Sequence, residues 1–327
     1  MPYFRHAGQR LAYTEHRDSR SGAARAAAAP NVKAASGRPI ILLHGLLLSQ
    51  DMHAPLARDL AAKGNRVITL DLLGHGRSDR PRDMWRYSMK AYGDQVVALM
   101  DHLGIEQAVV MGTSLGANVA LETAAAHPDR VRGLVIEMPV LDNGLLASAV
   151  VFTPLLVALT FGEPLMQALA RVTRAIPRRL VPHYGNVALD TVRQDPGPSG
   201  ALMQGLFFGR IAPPRSERST LTAPALVLGH TRDPVHPFSD AGMLAREMPN
   251  ARLITADSLV ELRLRPERLT NEIASFLDEV WAPRPRRRRS SRSATAAGGA
   301  SGAAGTVPVR SRVRARAAST SRRTQPG

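Results

Sequence analysis

The 327-residue chain contains no cysteine, which removes disulfide frameworks, thiol nucleophiles and cysteine-based metal sites from consideration. Aromatic residues make up only 4%, and Lys33, Lys63 and Lys90 are the three lysines beside forty arginines. With 44% apolar residues, the core must be aliphatic and Ala-rich, large enough for one big domain or two modest ones. The first residues, Met1 to His6, lack the apolar run of a secretory signal, so a cytoplasmic protein is expected. Acidic residues are absent from 283–327, which holds twelve arginines, so the formal charge of +16 falls to +4 over residues 1–282. The folded part is therefore not strongly cationic. That Arg/Ser/Ala/Gly tail has the composition of a disordered segment. It offers no aromatic platform for stacking bases; weak polyanion contact is expected of it, but no specific nucleic-acid partner.

From Arg10 to Glu137 short apolar runs alternate with helical patterns. Arg10–Glu15, Pro39–Leu43, Arg66–Leu70, Gln107–Met111 and Val131–Glu137 read as strands, and Asp51–Lys63, Ser88–Leu103 and Leu115–His127 as helices. Pro224–Gly229 and Ala251–Thr255 read as two further strands, and Pro266–Val280 as a terminal helix with Leu269, Ile273, Phe276 and Leu277 on one face. This alternation predicts an α/β fold: a mostly parallel, doubly wound sheet with helices on both faces. Arg17–Arg38 reads as a mobile connection. The rhythm breaks between Val140 and Thr222, where helical runs and prolines predict an inserted helical cap. The expected organisation is a core of 1–139 and 223–282, a cap of 140–222 and a tail of 283–327. Within the cap, the uncharged run from Asn143 to Gly162 approaches membrane-spanning length. It contains Pro154, Ser148 and Thr153 and no basic cluster bounds it, so a buried or pocket-lining helix pair is expected and no transmembrane segment.

Gly112-Thr113-Ser114-Leu115-Gly116 is the sharpest local signal. A Gly-x-Ser-x-Gly pentapeptide is weak alone, but here an apolar strand runs into it and an Ala-rich helix runs out. A tight strand-to-helix turn would hold the Ser114 hydroxyl at the helix N-terminus, where amides favour developing negative charge. His44-Gly45-Leu46 follows another strand and would supply one oxyanion donor from the Leu46 amide, the Leu115 amide supplying the other. The nonapeptide Asp71–Asp79, with Gly74 and Gly76, reads as an architectural turn whose amides Asp71 can bind, His75 being a candidate site residue within it. His102, His127 and His183 read as ordinary capping or solvated residues. No spacing suggests a metal site, no Gly-x-Gly-x-x-Gly opens a first β–α unit, and no cofactor is expected.

Together these segments resemble the α/β-hydrolase superfamily. His44-Gly45 is similar to its oxyanion loop, Asp71–Asp79 to its D-x-x-G-x-G-x-S-x turn and Ser114 to its nucleophile elbow. Asp233-Pro234-Val235-His236-Pro237 is similar to the segment that carries its triad acid, which implies that role for Asp233. The resemblance spans roughly 3–281 and implies eight strands with the cap after the sixth. Serine rather than aspartate at the elbow points away from its epoxide hydrolase and haloalkane dehalogenase branches. The chain departs from the pattern where the family carries its catalytic histidine: Leu259 stands there, and no histidine follows His236. Because serine must lose a proton to attack, a base has to come from elsewhere: His236, His230 or His75, or no imidazole at all. Ser258 and Glu261, in the loop without its histidine, read as structural or substrate-facing. The resemblance implies a serine hydrolase, esterase-like, with Ser114 as nucleophile and Asp233 as acid; His236 is the leading candidate for the base, and the apolar composition of the cap suggests a small hydrophobic acyl substrate. The incomplete-looking triad leaves a catalytically inactive binding protein of the same fold as the alternative.

Overall fold

The computed structural model describes residues 2–17 and 37–283. Most of the Arg17–Arg38 connection and all of 284–327 lie outside the described residues. The sheet has eight strands: β1 Tyr3–His6, β2 Gln9–His16, β3 Arg38–Leu43, β4 Asn65–Leu70, β5 Ala108–Thr113, β6 Val131–Glu137, β7 Ala225–His230 and β8 Ala251–Ala256. Their spatial order is β1-β2-β4-β3-β5-β6-β7-β8; β1/β2 and β2/β4 are antiparallel and the remaining pairs parallel. Strand β1 was not among the runs singled out above. It pairs with β2 across Ala7 and Gly8, both at positive φ, in a two-residue turn that suits the strands' twist.

The helices of the α/β frame are α1 Ala54–Ala62, α2 Met89–His102 and α3 Leu115–Ala126 before β6. Five helices fill the stretch between β6 and β7: α4 Leu145–Phe161, α5 Glu163–Arg174, α6 His183–Val192, α7 Pro196–Phe207 and α8 Arg215–Arg218. After β7 come α9 Phe238–Glu247, the one-turn α10 Glu261–Leu264 and the terminal α11 Glu267–Trp281. The central strands are apolar on both sides because each face of the sheet is covered. One face packs on α2, α3 and α9; on the other, Leu56 and Leu60 of α1 and Leu269, Ile273, Phe276 and Leu277 of α11 close over β3, β5 and β7.

Three buried polar clamps fasten the inserted helices to this frame. Asn118, in the first turn of α3, donates through Nδ2 to the Val140 and Ile211 carbonyls and accepts from the Val140 amide. Asp240 on α9 accepts from the amides of Leu141, Asn143 and Gly144, where α4 begins. Arg218 pairs with Glu247 and Asp142 and donates to the Pro213 carbonyl. Among the described residues no single helix is long and apolar enough to cross a membrane; α4 and α5 reach that length only as a pair bent by 99°. The run from Asn143 to Gly162 forms one helix, α4, rather than a helix pair, and only Ser148 and Leu159 within that helix are buried. Expectation and structure part here: Pro154 does not split the helix, and one side of α4 faces solvent.

Candidate active site

Ser114 sits between β5 and α3 with φ 55° and ψ −114°, a left-handed conformation that a serine holds only under constraint. The constraint comes from its flanking glycines. A Cβ on Gly112 would lie 2.0 Å from the Gly116 carbonyl group, and one on Gly116 would lie 2.3 Å from the Leu43 carbonyl oxygen. Glycine at both positions lets β5, β3 and α3 converge, and the turn between them lifts the Ser114 side chain off the sheet. The Ser114 amide donates to the Glu137 carbonyl at 2.9 Å, which ties the elbow to the end of β6.

The loop between β7 and α9 brings a carboxylate and an imidazole to this serine. Asp233 and His236 each precede a proline, which biases both residues to extended backbone. Asp233 Oδ1 accepts from the amides of Val235 and His236, at 2.8 and 2.9 Å, closing an Asx turn. Its Oδ2 lies 2.8 Å from His236 Nδ1, and His236 Nε2 lies 2.9 Å from Ser114 Oγ. Burial raises the Asp233 pKa, but the His236 side chain and the loop amides outweigh it and hold the carboxyl below its ordinary value. An ionised Asp233 fixes the proton on His236 Nδ1 and leaves Nε2 free to accept the serine hydroxyl. The arrangement supports proton transfer from Ser114 during attack on a carbonyl.

The loop after β3 passes over the elbow. A Cβ on Gly45 would lie 3.8 Å from the Ser114 Cβ. Leu46 and Leu115 line the same cavity as Ser114, and among the described residues neither amide meets an acceptor. Leu47 is held at φ 57°, and its carbonyl accepts from Gln194 Nε2 at 2.5 Å; Gln194 Oε1 in turn accepts from Arg80, whose guanidinium also binds the Gly74 and Gly76 carbonyls. Sequence reasoning passed over both Arg80 and Gln194.

The remaining candidate histidines are engaged elsewhere. His44 Nε2 accepts from the Leu72 amide and Nδ1 donates to the Gly45 carbonyl, so the ring is a neutral brace between two loops, its pKa lowered by burial. His75 is buried against His44 and Tyr92 and bonded to the Leu73 carbonyl. Burial, and then competition with the neighbouring His44 ring for a proton, hold its pKa well below the ordinary value. It lines no part of the Ser114 cavity and does not hydrogen-bond to Ser114. Asp71 binds the Arg77 amide as read above, and also the Gln50 amide and side chain. A Cβ on Gly76, at φ +48°, would lie 2.1 Å from that carboxylate.

His230 makes no hydrogen bond to Ser114. Its Nδ1 lies 3.0 Å from the Ser258 carbonyl and its Nε2 3.7 Å from Glu137. Burial disfavours its charge, but the adjacent Glu137 carboxylate outweighs this and raises its pKa. Glu137, wholly buried at the end of β6, also binds Arg263 at 2.7 Å and the Thr113 hydroxyl at 2.5 Å. Burial raises its pKa, yet Arg263 and then His230 hold the carboxyl far below the carboxylate range. Leu259 and Val260, where the family pattern calls for histidine, are partly exposed; Ser258 serves His230, and Glu261 binds Arg268. An acid following the apolar run Leu134–Ile136 at the end of β6 was the available signal for this buried cluster.

Ser114 opens into a cavity of about 270 Å³ whose walls are mostly apolar. Leu145, Ser148, Ala149 and Phe152 of α4 form one side; Met203, Leu206 and Phe207 of α7 form another.

A family model described as the alpha/beta hydrolase fold matches residues 38–258. A haloalkane dehalogenase of Mycolicibacterium paratuberculosis is 36% identical over 118 residues, covering 36% of this chain and 38% of that protein. A 2-hydroxymuconate semialdehyde hydrolase of Pseudomonas putida is 28% identical over 236 residues, 66% of this chain and 78% of that protein. The enol-lactonase of Burkholderia xenovorans, a solved structure, aligns with a TM-score of 0.64 at 24% identity, over 84% of this chain and 99% of that one. The matches to several curated relatives, the dehalogenase among them, span only 31–38% of those proteins' length. Fold, elbow and the matched span, two thirds of the sequence, agree: the chain belongs to the alpha/beta hydrolase fold family.

Proposed function

We propose that the chain is a serine hydrolase that cleaves a carboxylic ester or related acyl compound through an acyl-enzyme on Ser114. The observation that carries this reading is the continuous line from Asp233 Oδ2 through His236 to Ser114 Oγ, with spacings of 2.8 and 2.9 Å. In this reading Ser114 Oγ attacks the acyl carbon while its proton passes to His236 Nε2. The Leu46 and Leu115 amides receive the oxyanion. Collapse expels the leaving alcohol, which takes the proton back from His236, and water repeats the sequence on the ester to release acid and free serine. The histidine that the family carries after β8 is replaced here by His236, on the same loop as the acid. Residues 140–222 act as a cap over the cavity, and its apolar walls favour a hydrophobic acyl group.

Labelling of intact protein by a fluorophosphonate, followed by mass, tests this. The wild type should react, Ser114→Ala should not, and His236→Ala should react more slowly by roughly 10⁴-fold or more. An unreactive wild type would sink the reading and favour a binding protein; fast labelling of His236→Ala would remove His236 as the base.

A further inference from the structure

Helix α4 has no charged residue, yet most of it is not buried. Its inner side lines the cavity through Leu145, Ser148, Ala149 and Phe152. Its outer side carries Leu146, Val150, Val157 and Phe161 at helical spacing, and these are 76%, 66%, 49% and 82% exposed. Helix α5 repeats the arrangement: Leu165, Leu169 and Val172 are 74%, 43% and 66% exposed, while Ala170 and Thr173 turn inward. A helix of a globular protein normally buries its apolar stripe, so α5 is amphipathic in the reverse sense. Each such side chain left in water forgoes the stabilisation that burial would supply. Phe161 and Leu165 stand only four residues apart on either side of the bend, and exposed apolar side chains gathered on consecutive helices are of the kind that marks an interaction site.

The charge along these two helices and the turn that follows them is mostly positive. No Asp or Glu occurs from Asn143 to Gly162, and from Glu163 to Leu180 there are four arginines against that single acid. Arg178 is paired with Asp190, whereas Arg171, Arg174 and Arg179 meet no carboxylate among the described residues. A second copy related by a two-fold axis would bring the same arginine excess from both sides of the interface. An anionic lipid surface complements both properties at once: acyl chains for the stripe and headgroups for the guanidinium groups.

We infer that the outer face of α4 and α5 docks on an anionic lipid bilayer, entering it only to side-chain depth. One consequence rests on the Ser114 reading: α4 is then the single wall, about 10 Å thick, between lipid and the cavity, so substrates dissolved in the membrane are taken up directly. The docking itself does not depend on the chemistry.

Vesicle flotation of the full chain tests it, with phosphatidylcholine alone and mixed with phosphatidylglycerol. Wild type should float with the mixed vesicles, and Leu146→Glu/Leu165→Glu/Val172→Glu should bind at least about tenfold more weakly. Arg171→Glu/Arg179→Glu should weaken binding as well. The Arg-rich 283–327 segment can adhere by charge alone, so raised salt should strip the triple variant while wild type stays bound. Unaltered flotation of the triple variant, no flotation of wild type, or a concentration-dependent dimer that the triple variant abolishes would each overturn the inference. Ser114→Ala should float like wild type, and the triple variant should hydrolyse a soluble short-chain ester at the wild-type rate. Failure of docking and failure of the Ser114 reading thus give different results.

Discussion

Asp233 has its two carboxylate oxygens committed to different tasks, and that division makes a sharp prediction. Oδ1 holds its own loop through two amides, and Oδ2 faces His236 Nδ1. Asp233→Asn retains an acceptor for the amides but presents an NH₂ to Nδ1, forcing the ring proton onto Nε2. That tautomer cannot accept from Ser114. Ester turnover should fall by roughly 10³–10⁴-fold with little change in melting temperature. An equal loss of stability and activity would mean that the carboxylate is only a loop fastener. Gly116→Ala is the contrasting case: its methyl would lie 2.3 Å from the Leu43 carbonyl oxygen, so poor folding should precede any kinetic effect, as thermal unfolding would show.

Among elements, Asn118 links α3 to both ends of the inserted helices. Asn118→Ala leaves the Val140 amide and the Val140 and Ile211 carbonyls without that partner, at a cost of about 2–4 kcal/mol. Because these segments of the insertion carry the cavity wall, KM should rise more than kcat falls; steady-state kinetics beside thermal unfolding would test it. The elements themselves were largely legible in the sequence, because alternation of short apolar runs with Ala-rich helical stretches is a local property. The elbow was legible for the same reason: strand, glycines, serine and helix are contiguous. Asp233 and His236 were also neighbours on the page. What the sequence left open among His236, His230 and His75 was a distance across 122 residues, and packing decides it: His230 is turned to Glu137 and His75 to Leu73. The Glu137–Arg263 pair was invisible for that reason too. Solvent exposure of α4 was missed because composition cannot separate a helix buried on all sides from one that lines a cavity with one face only.

For the whole molecule, the buried Glu137–His230–Arg263 group should govern stability against pH. His230 has a raised folded pKa, so its contribution is complete below its unfolded value of about 6.5 and is lost as pH rises through the folded value. Glu137 has a depressed folded pKa, so its contribution is present above about 4.3 and is lost as pH falls through the folded value. The charges facing His230 include Asp233 as well as Glu137, and both favour its proton. The melting temperature should therefore peak at about pH 5–6 and decline toward alkaline pH. His230→Gln should flatten the alkaline decline, and an unchanged slope in that variant would assign it to other groups.

Placing Asp233 and His236 on one short loop has a further result for how the molecule can be divided. Ser114, Asp233 and His236 all precede Leu259, whereas α11 packs on the sheet through Leu269, Ile273, Phe276 and Leu277, with Arg132 and Arg252 of the strands bonded to its last turns. A chain split between Leu259 and Val260 keeps every one of those groups on one fragment and gives the other an adhesive apolar helix. Mixing the two fragments should restore fluorophosphonate labelling, making the protein a split reporter whose signal is reassembly.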